Sequence, residues 1–388
     1  MQISGINAEI LIWARERAGY TIEEVAHKLK RDAGEIAQWE SGNSAPTYTQ
    51  LEKLAYKVYK RPLAIFFFPS PPDEPDLKQS FRTLPDFEIE NLLPDTRYAV
   101  RQAKAMQLTL KELNDGVNPS EKKIFRDIEL NINQNVSSAA AGVRDYLGVH
   151  LDDQKKWKGV REALNAWRDI VEDKGIFIFK RSFKQKDVSG LSILDEEFPV
   201  IYLNNSTTAS RQIFTIFHEL SHLLLKTNGV TKEDDRYISA LKGYDKDVEV
   251  FCNSFAAEFL VPSVDLEDWL ARGLSVDQLV NNLSDRYKVS REVILRRLLD
   301  KGIVNQGYYE KQVKQWLDEY QERKAKSSGG GNYYNTQVTY LGDRYLNLAF
   351  GRYYQGRCTI EQLADYLNVK VKSIPGLEQS MFGKEAAQ

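Results

Sequence analysis

Much that defines other protein classes is missing from this 388-residue chain. It has two cysteines, Cys252 and Cys358, too few for a disulfide framework and in keeping with a reducing compartment. The longest apolar stretch, Leu63 to Phe68, falls far short of the ~20 residues that a membrane span needs. No basic segment followed by an apolar run opens the sequence as a secretory leader would. A cytoplasmic location without a membrane partner is therefore expected. Charge of one sign is also lacking: 53 Lys and Arg meet 55 Asp and Glu, for a net −2. Any nucleic-acid contact must then come from a local patch. With 42% hydrophobic residues the chain is too apolar to be disordered, and its length suggests two or three domains. No repeat of fixed period is apparent.

What is present begins with a run of short helices in residues 1–70. Ile6, Ile10, Trp13 and Ala14 recur at helical spacing up to Gly19. Thr21 and Glu24 make a capping box for a second helix, with Ile22, Val25 and Leu29 inward. Asp32 with Glu35 opens a third helix carrying Ile36 and Trp39, and Thr47 with Gln50 a fourth. Pro62 starts a last short turn. The second and third helices, with QWESGNSAP at 38–46, resemble the helix-turn-helix of XRE (Cro/C1-type) repressors over residues 5–68. That resemblance implies a short helix laid in the DNA major groove, with Lys30, Arg31 and Gln38 as candidate DNA contacts. Against this, residues 1–70 hold nine Lys/Arg and eight Asp/Glu, and Arg31 to Glu35 includes two acids that would repel phosphate.

A proline- and acid-rich linker occupies 69–92, and residues 71–150 are read as that linker plus a helical segment. Pro94 sits in the first turn of a long helix ended by Asn-Asp-Gly near 114. Further helices are expected near 120–132, 137–147 and 155–173. From 175 the period changes: GIFIFKRSF, VSGLSIL and FPVIYLNN read as three strands, the last a possible edge for an extended substrate. Helices follow over 209–226, 246–260 and, in shorter pieces, to about 324. SSGGG at 327–331 reads as a linker to a small helical unit, 332–388, in which Thr359 and Gln362 form another capping box. Its tyrosines (333, 334, 340, 345, 353 and 354) suggest helix packing or a partner surface.

The most informative stretch is HELSH at 218–222. Residues four apart share a helix face, so His218 and His222 can present two imidazoles to one metal ion. Glu219 lies about 100° round the helix, beside the metal, where it can polarise a water. The chain has only four histidines, and two stand here. A catalytic zinc site takes three protein ligands and one open position. His27 belongs to the N-terminal unit and His150 precedes the strands, so the third ligand should be a carboxylate. In DVEVFCNSFAAEFLVP, Glu249 flanks the apolar stripe of Val248, Cys252, Phe255 and Phe259, with Asn253 one turn on. Glu258 falls on another face and is expected to be solvated; Asp245 and Asp247 suit the helix start. Tyr202, Tyr237, Arg211 and Arg296 are candidate oxyanion donors.

HELSH followed by ExxxNxFAAEFLVP resembles the ImmA/IrrE metallopeptidases over roughly 155–300, with Phe259 and Val261 replacing commoner Leu and Met. The resemblance implies Zn2+ on His218, His222 and Glu249, with Glu219 as general base. It also implies cleavage of a repressor or antitoxin-like DNA-binding protein encoded nearby, and XRE-type units commonly dimerise. The expected fold is α+β, mostly α: a helix-turn-helix domain (1–70), a zincin-like peptidase domain with a small three-stranded sheet (151–326) and a helical C-terminal domain (332–388). The competing reading is a regulator or antitoxin whose peptidase-like fold binds a partner without cutting it.

Overall fold

A computed structural model of the chain describes residues 4–74, 77, 89–185, 187–232, 238, 241–326 and 331–383. Tyr237, most of the acidic linker after Glu74 and Ser327 to Gly330 lie outside the described residues. The chain divides into two compact units, Met1–Gln102 with Phe183–Gln185, and the remainder.

The first unit holds helices α1 (Ala8–Ala18), α2 (Ile22–Leu29), α3 (Ala33–Glu40) and α4 (Tyr48–Glu52), the last running on as a π-helical turn to Tyr59. A 3₁₀ turn, Leu63–Phe67, follows. The capping boxes at Thr21 and Thr47 both form. Asp32 caps α3 differently from expectation: its side chain takes the Gly34 N–H, and Glu35 instead accepts from Gln50 Nε2 at 3.2 Å. Ile10, Ala14, Val25, Ile36, Trp39, Leu51 and Phe66 make one buried core. Arg15 fastens α1 to α3 with two bonds to Glu40, at 2.8 and 3.0 Å. Helix α5 (Pro94–Leu113) starts at its proline, where a missing N–H costs nothing.

In the second unit the helix expected over 120–132 shrinks to α6 (Ile124–Asp127). Helix α7 (Val136–Leu147) is followed by two helices where one was expected, α8 (Leu151–Lys156) and α9 (Val160–Asp173). The break falls at Gly159, which is fully extended and precedes the first residue of α9. The expected strands form as β1 (Phe177–Arg181), β2 (Val188–Ile193) and β3 (Val200–Asn204). The sheet has four strands rather than three: β4 (Gly229–Lys232) pairs antiparallel with β2. Only four residues long and with one hydrophobic member, β4 carries too little alternation to be read from sequence. The order is β1-β3-β2-β4, with β1 parallel to β3. Strand β3 is therefore interior, and its suggested role as a substrate-pairing edge fails; the strands at the ends of the order are β1 and β4.

The motif helix α10 (Ala209–Leu224) lies on one sheet face, packed against β2, β3 and β4. Helix α11 (Gly243–Leu260) packs along it. Phe217 and Phe259 stack at 4.0 Å, and Trp167 of α9 stands edge-on to both at 4.8 and 5.4 Å. Then come α12 (Ser263–Leu270), α13 (Val276–Tyr287), α14 (Arg291–Asp300) and α15 (Gln306–Lys326). Glu258 is not solvated as expected. It is 5% exposed, because the buried Arg297 of α14 pairs with it and Ser263 gives it two further bonds, at 2.9 and 2.8 Å.

The C-terminal helices are α16 (Tyr333–Leu341), α17 (Asp343–Tyr354), α18 (Ile360–Tyr366) and α19 (Ile374–Phe382). Tyr345 is buried, edge-on to Phe179 of β1 at 5.1 Å, whereas Tyr333 and Tyr354 are exposed. Arg168 of α9, itself buried, donates to the carbonyls of Thr339 and Leu341 at 2.9 Å each, to that of Ile178, and to Glu172. Gly342 (φ 84°) follows this clamp, and a Cβ there would run into the guanidinium.

Candidate metal centre

Helix α10 is capped by Thr208, whose side chain takes the Arg211 N–H, and its polar motif residues are buried among Phe217, Leu220 and Leu223. His218 is 1% exposed, and Glu219, His222 and Glu249 are 0% exposed. Four buried ionisable groups in one place demand partners, since unpaired burial is costly.

Here the partners are one another. The Nε2 atoms of His218 and His222 stand 3.1 Å apart, and each lies 3.4 Å from a different oxygen of Glu249. Among the described residues, these three offer ligand atoms that all lie within 4.8 Å of one another. Donors held about 2.05 Å from a tetrahedral zinc would be about 3.3 Å apart, so the observed spacings suit that ion. The outer bonds agree. His218 Nδ1 meets Asn253 Oδ1 at 2.9 Å, and His222 Nδ1 meets Thr227 Oγ1 at 3.2 Å. Both partners can accept a proton-bearing Nδ1; the Thr227 hydroxyl is already donating to the His222 carbonyl. That pattern would leave both Nε2 atoms to serve as ligands to a bound metal.

The electrostatics follow from this crowding. Burial alone would push the Glu249 carboxyl up, but the neighbouring imidazoles outweigh it and hold the group well below the usual carboxylate range. Burial also disfavours the charged form of His222, yet Cys252 and Glu249 raise it well above the ordinary imidazole range. Cys252 is a buried core residue beside the cluster, as expected, and burial pushes its thiol up.

Glu219, beside this triad, is held from the sheet side. Ser192 Oγ donates to Oε2 at 2.6 Å, while the Thr231 N–H and hydroxyl donate to Oε1 at 3.0 and 2.5 Å. The Gly229 N–H donates in turn to Ser192 Oγ at 3.1 Å. Gly229 lies where a Cβ would overlap the His222 ring and stand 2.5 Å from Glu219 Oε2. Ser192, Thr227, Gly229 and Thr231 are thus site residues that sequence reasoning missed. Ser192 alone left a signal, a small polar residue inside an apolar strand.

The other expected residues lie elsewhere. Tyr202 pairs with Leu191, and its ring packs near Phe179, on the sheet face away from α10. Arg211 bonds Ser189 Oγ at 3.0 Å and covers Phe214, two turns before His218. Arg296 reaches Asp300 and the Tyr309 ring. None of the three is joined to the cluster by a described bond. Lys30, Arg31 and Gln38 are exposed on the first unit, with Arg31 3.9 Å from Glu35.

Comparison with known proteins agrees with the two-part reading. Residues 171–299 match the family model described as IrrE N-terminal-like domain, and residues 11–56 match the one described as helix-turn-helix. A curated relative, the radiation response metalloprotease IrrE of Deinococcus deserti, is 31% identical over 112 residues, 28% of this chain. The match spans 38% of that relative's length. The chain is therefore similar in these two segments to XRE-type helix-turn-helix units and to the ImmA/IrrE metallopeptidases, and its fold is α+β, mostly α. No described helix is long and apolar enough to cross a membrane.

Proposed function

We propose that the chain is a zinc-dependent endopeptidase whose substrate is a repressor or antitoxin-like DNA-binding protein encoded nearby, with zinc on His218, His222 and Glu249. The observation that carries this reading is Glu219. A purely structural metal site has no use for a second buried carboxylate, yet here one is fixed by three donors beside the ligand triad. Bound zinc would supply Lewis acidity, polarising the scissile carbonyl and bringing a water's pKa towards ~7. Glu219 then accepts a proton on its carboxylate and delivers it to the leaving amine. Ser192 and Thr231 hold that carboxylate in one orientation throughout. Strand β4, at the end of the strand order and bonded to Glu219 through Thr231, is the strand suited to pair with an extended peptide. The helix-turn-helix would bring the chain to DNA or to a substrate of like fold, as a monomer or a homodimer.

The complete burial of Glu219 favours a second reading, a regulator that binds metal and a partner without turnover. One experiment separates them: co-expression of proteins encoded beside the gene with wild type or Glu219→Gln, read by intact mass. A neighbour cut by wild type alone supports the peptidase and gives the scissile bond. Equal masses in both, with stoichiometric zinc bound, support the regulator.

A further inference from the structure

Helix α10 and strand β2 lie side by side, and three rungs between them set their direction. Arg211 Nε donates to Ser189 Oγ at 3.0 Å, and Ser192 Oγ donates to Glu219 at 2.6 Å. Between these, a Cβ on Gly190 would stand 2.5 Å from Thr215 Cγ2. The two elements therefore run parallel, with Arg211 at one end of the row and the HELSH turn at the other. Strand β4 runs the opposite way. Ser192 pairs with Gly229, which abuts the His222 ring, and Val188 pairs with Lys232. The edge of β4 thus leads from the metal ligands back to the level of Arg211.

Arg211 also shares a helix face with the first ligand. Seven residues turn a helix by about 700°, within about 20° of two full turns, so Arg211 and His218 leave α10 on the same side. Phe214 stands in the row between them. Its ring centroid is 6.2 Å from that of His218, and the Arg211 guanidinium lies over the same ring at 5.3 Å. Ser189 fixes one nitrogen and the ring faces the guanidinium, so a half-buried cation is held in one orientation. The two residues are separated by about 10.5 Å along the helix axis. That distance takes Arg211 out of the oxyanion role, and it equals about three residues of extended peptide at ~3.4 Å each.

We propose that Arg211 is a specificity-determining residue that binds an Asp or Glu side chain of the substrate, about three residues before the cleaved bond. This role rests on the peptidase reading and on a substrate strand paired with β4. Antiparallel pairing, the commoner mode, runs the peptide from the Arg211 end to the metal end, which puts the acid on the N-terminal side of the bond. Arginine suits the task because its planar fork can give two N–H bonds to one carboxylate.

The test uses the full-length, zinc-loaded chain and a peptide library from a digested proteome, with cut sites read by mass spectrometry. Wild type should enrich Asp and Glu about three residues before the cut. The most rapidly cut peptide, made with Glu or with Lys at that position, then gives a ratio of kcat/KM for each variant. Wild type should favour the Glu peptide by roughly tenfold or more. Arg211→Gln should bring the ratio close to one, and Arg211→Glu should invert it. An Arg211 that only ties α10 to β2 would lower both peptides together and keep the wild-type ratio, and that result overturns the proposal. So do wild-type cuts with no acid enrichment, which leave the peptidase reading standing. Cuts missing from wild type and Glu219→Gln alike overturn the peptidase reading, and this role with it.

Discussion

The corner of α2 and α3 and the HELSH turn of α10 carry the same kinds of residue under opposite conditions. In the first, Lys30, Arg31 and Gln38 stand in solvent, and apart from the left-handed backbone at Lys30 little in the fold limits what replaces them. In the second, His218, Glu219, His222 and Glu249 are buried, and each is fixed by partners from other elements of the fold. Buried polar groups must be satisfied to persist, so their arrangement says what they are for. Exposed ones carry no such record.

Substitutions should widen that contrast. The largest effect is expected at Glu219: Glu219→Gln should lower cleavage by about a thousandfold while zinc content by mass spectrometry stays at one per chain. Glu249→Ala should instead lose the metal.

Next is Lys180, a buried cation on β1 that burial, and then Arg168, lower to about 7. Unfolded lysine titrates near 10.4, so between about pH 7 and 10.4 the unfolded chain holds a proton that the folded chain lacks. Stability from this group is therefore smallest below pH 7 and rises with pH through that window. Lys180→Met should raise stability at pH 7 by on the order of a few kcal/mol and flatten the rise. Unfolding midpoints at pH 7 and 9 measure both; a variant with the wild-type pH slope would remove Lys180 as its source.

Gly229→Ala forces a methyl group against His222 and Glu219, and a loss of about 1–3 kcal/mol is expected in urea unfolding, with weaker metal retention. Asn253→Ala should weaken zinc binding by about 10–100-fold in a chelator competition, since it frees the outer nitrogen of His218. At the small end, Lys30→Gln or Arg31→Gln should shift thermal stability by less than about 0.5 kcal/mol. Either change should leave zinc content untouched. A large destabilisation there would break the contrast.

The legibility of the fold follows the same division. Capping boxes at Thr21, Thr47 and Thr359 could be read because each is a local contract between residues three apart. His218 and His222 could be read because one helix places them, and Glu249 because its helix was recognisable and the histidines were too few to complete a site. Asn253 was legible as the neighbour of Glu249 by one turn. Gly229 and Thr231 were not, since their roles arise only once β4 folds back onto β2; Ser192 showed only as a polar residue in an apolar strand, and Thr227, five residues after His222, left no signal. Glu258 was misread for a related reason: the cation that buries it, Arg297, lies 39 residues later. Pairings across such separations have no local period for a sequence to display.

Arg168 carries a consequence for how such a chain can be rearranged. Its guanidinium is satisfied by carbonyls at the end of α16 and by Glu172, and Phe179 needs Tyr345 above it. A recombination breakpoint between α15 and α16 would leave the buried Arg168 guanidinium short of two carbonyl acceptors and an aromatic face open in every descendant. The sheet with the helices packed on it and the helices after α15 should therefore be inherited as one block, and related chains that differ in this tail should also differ at position 168.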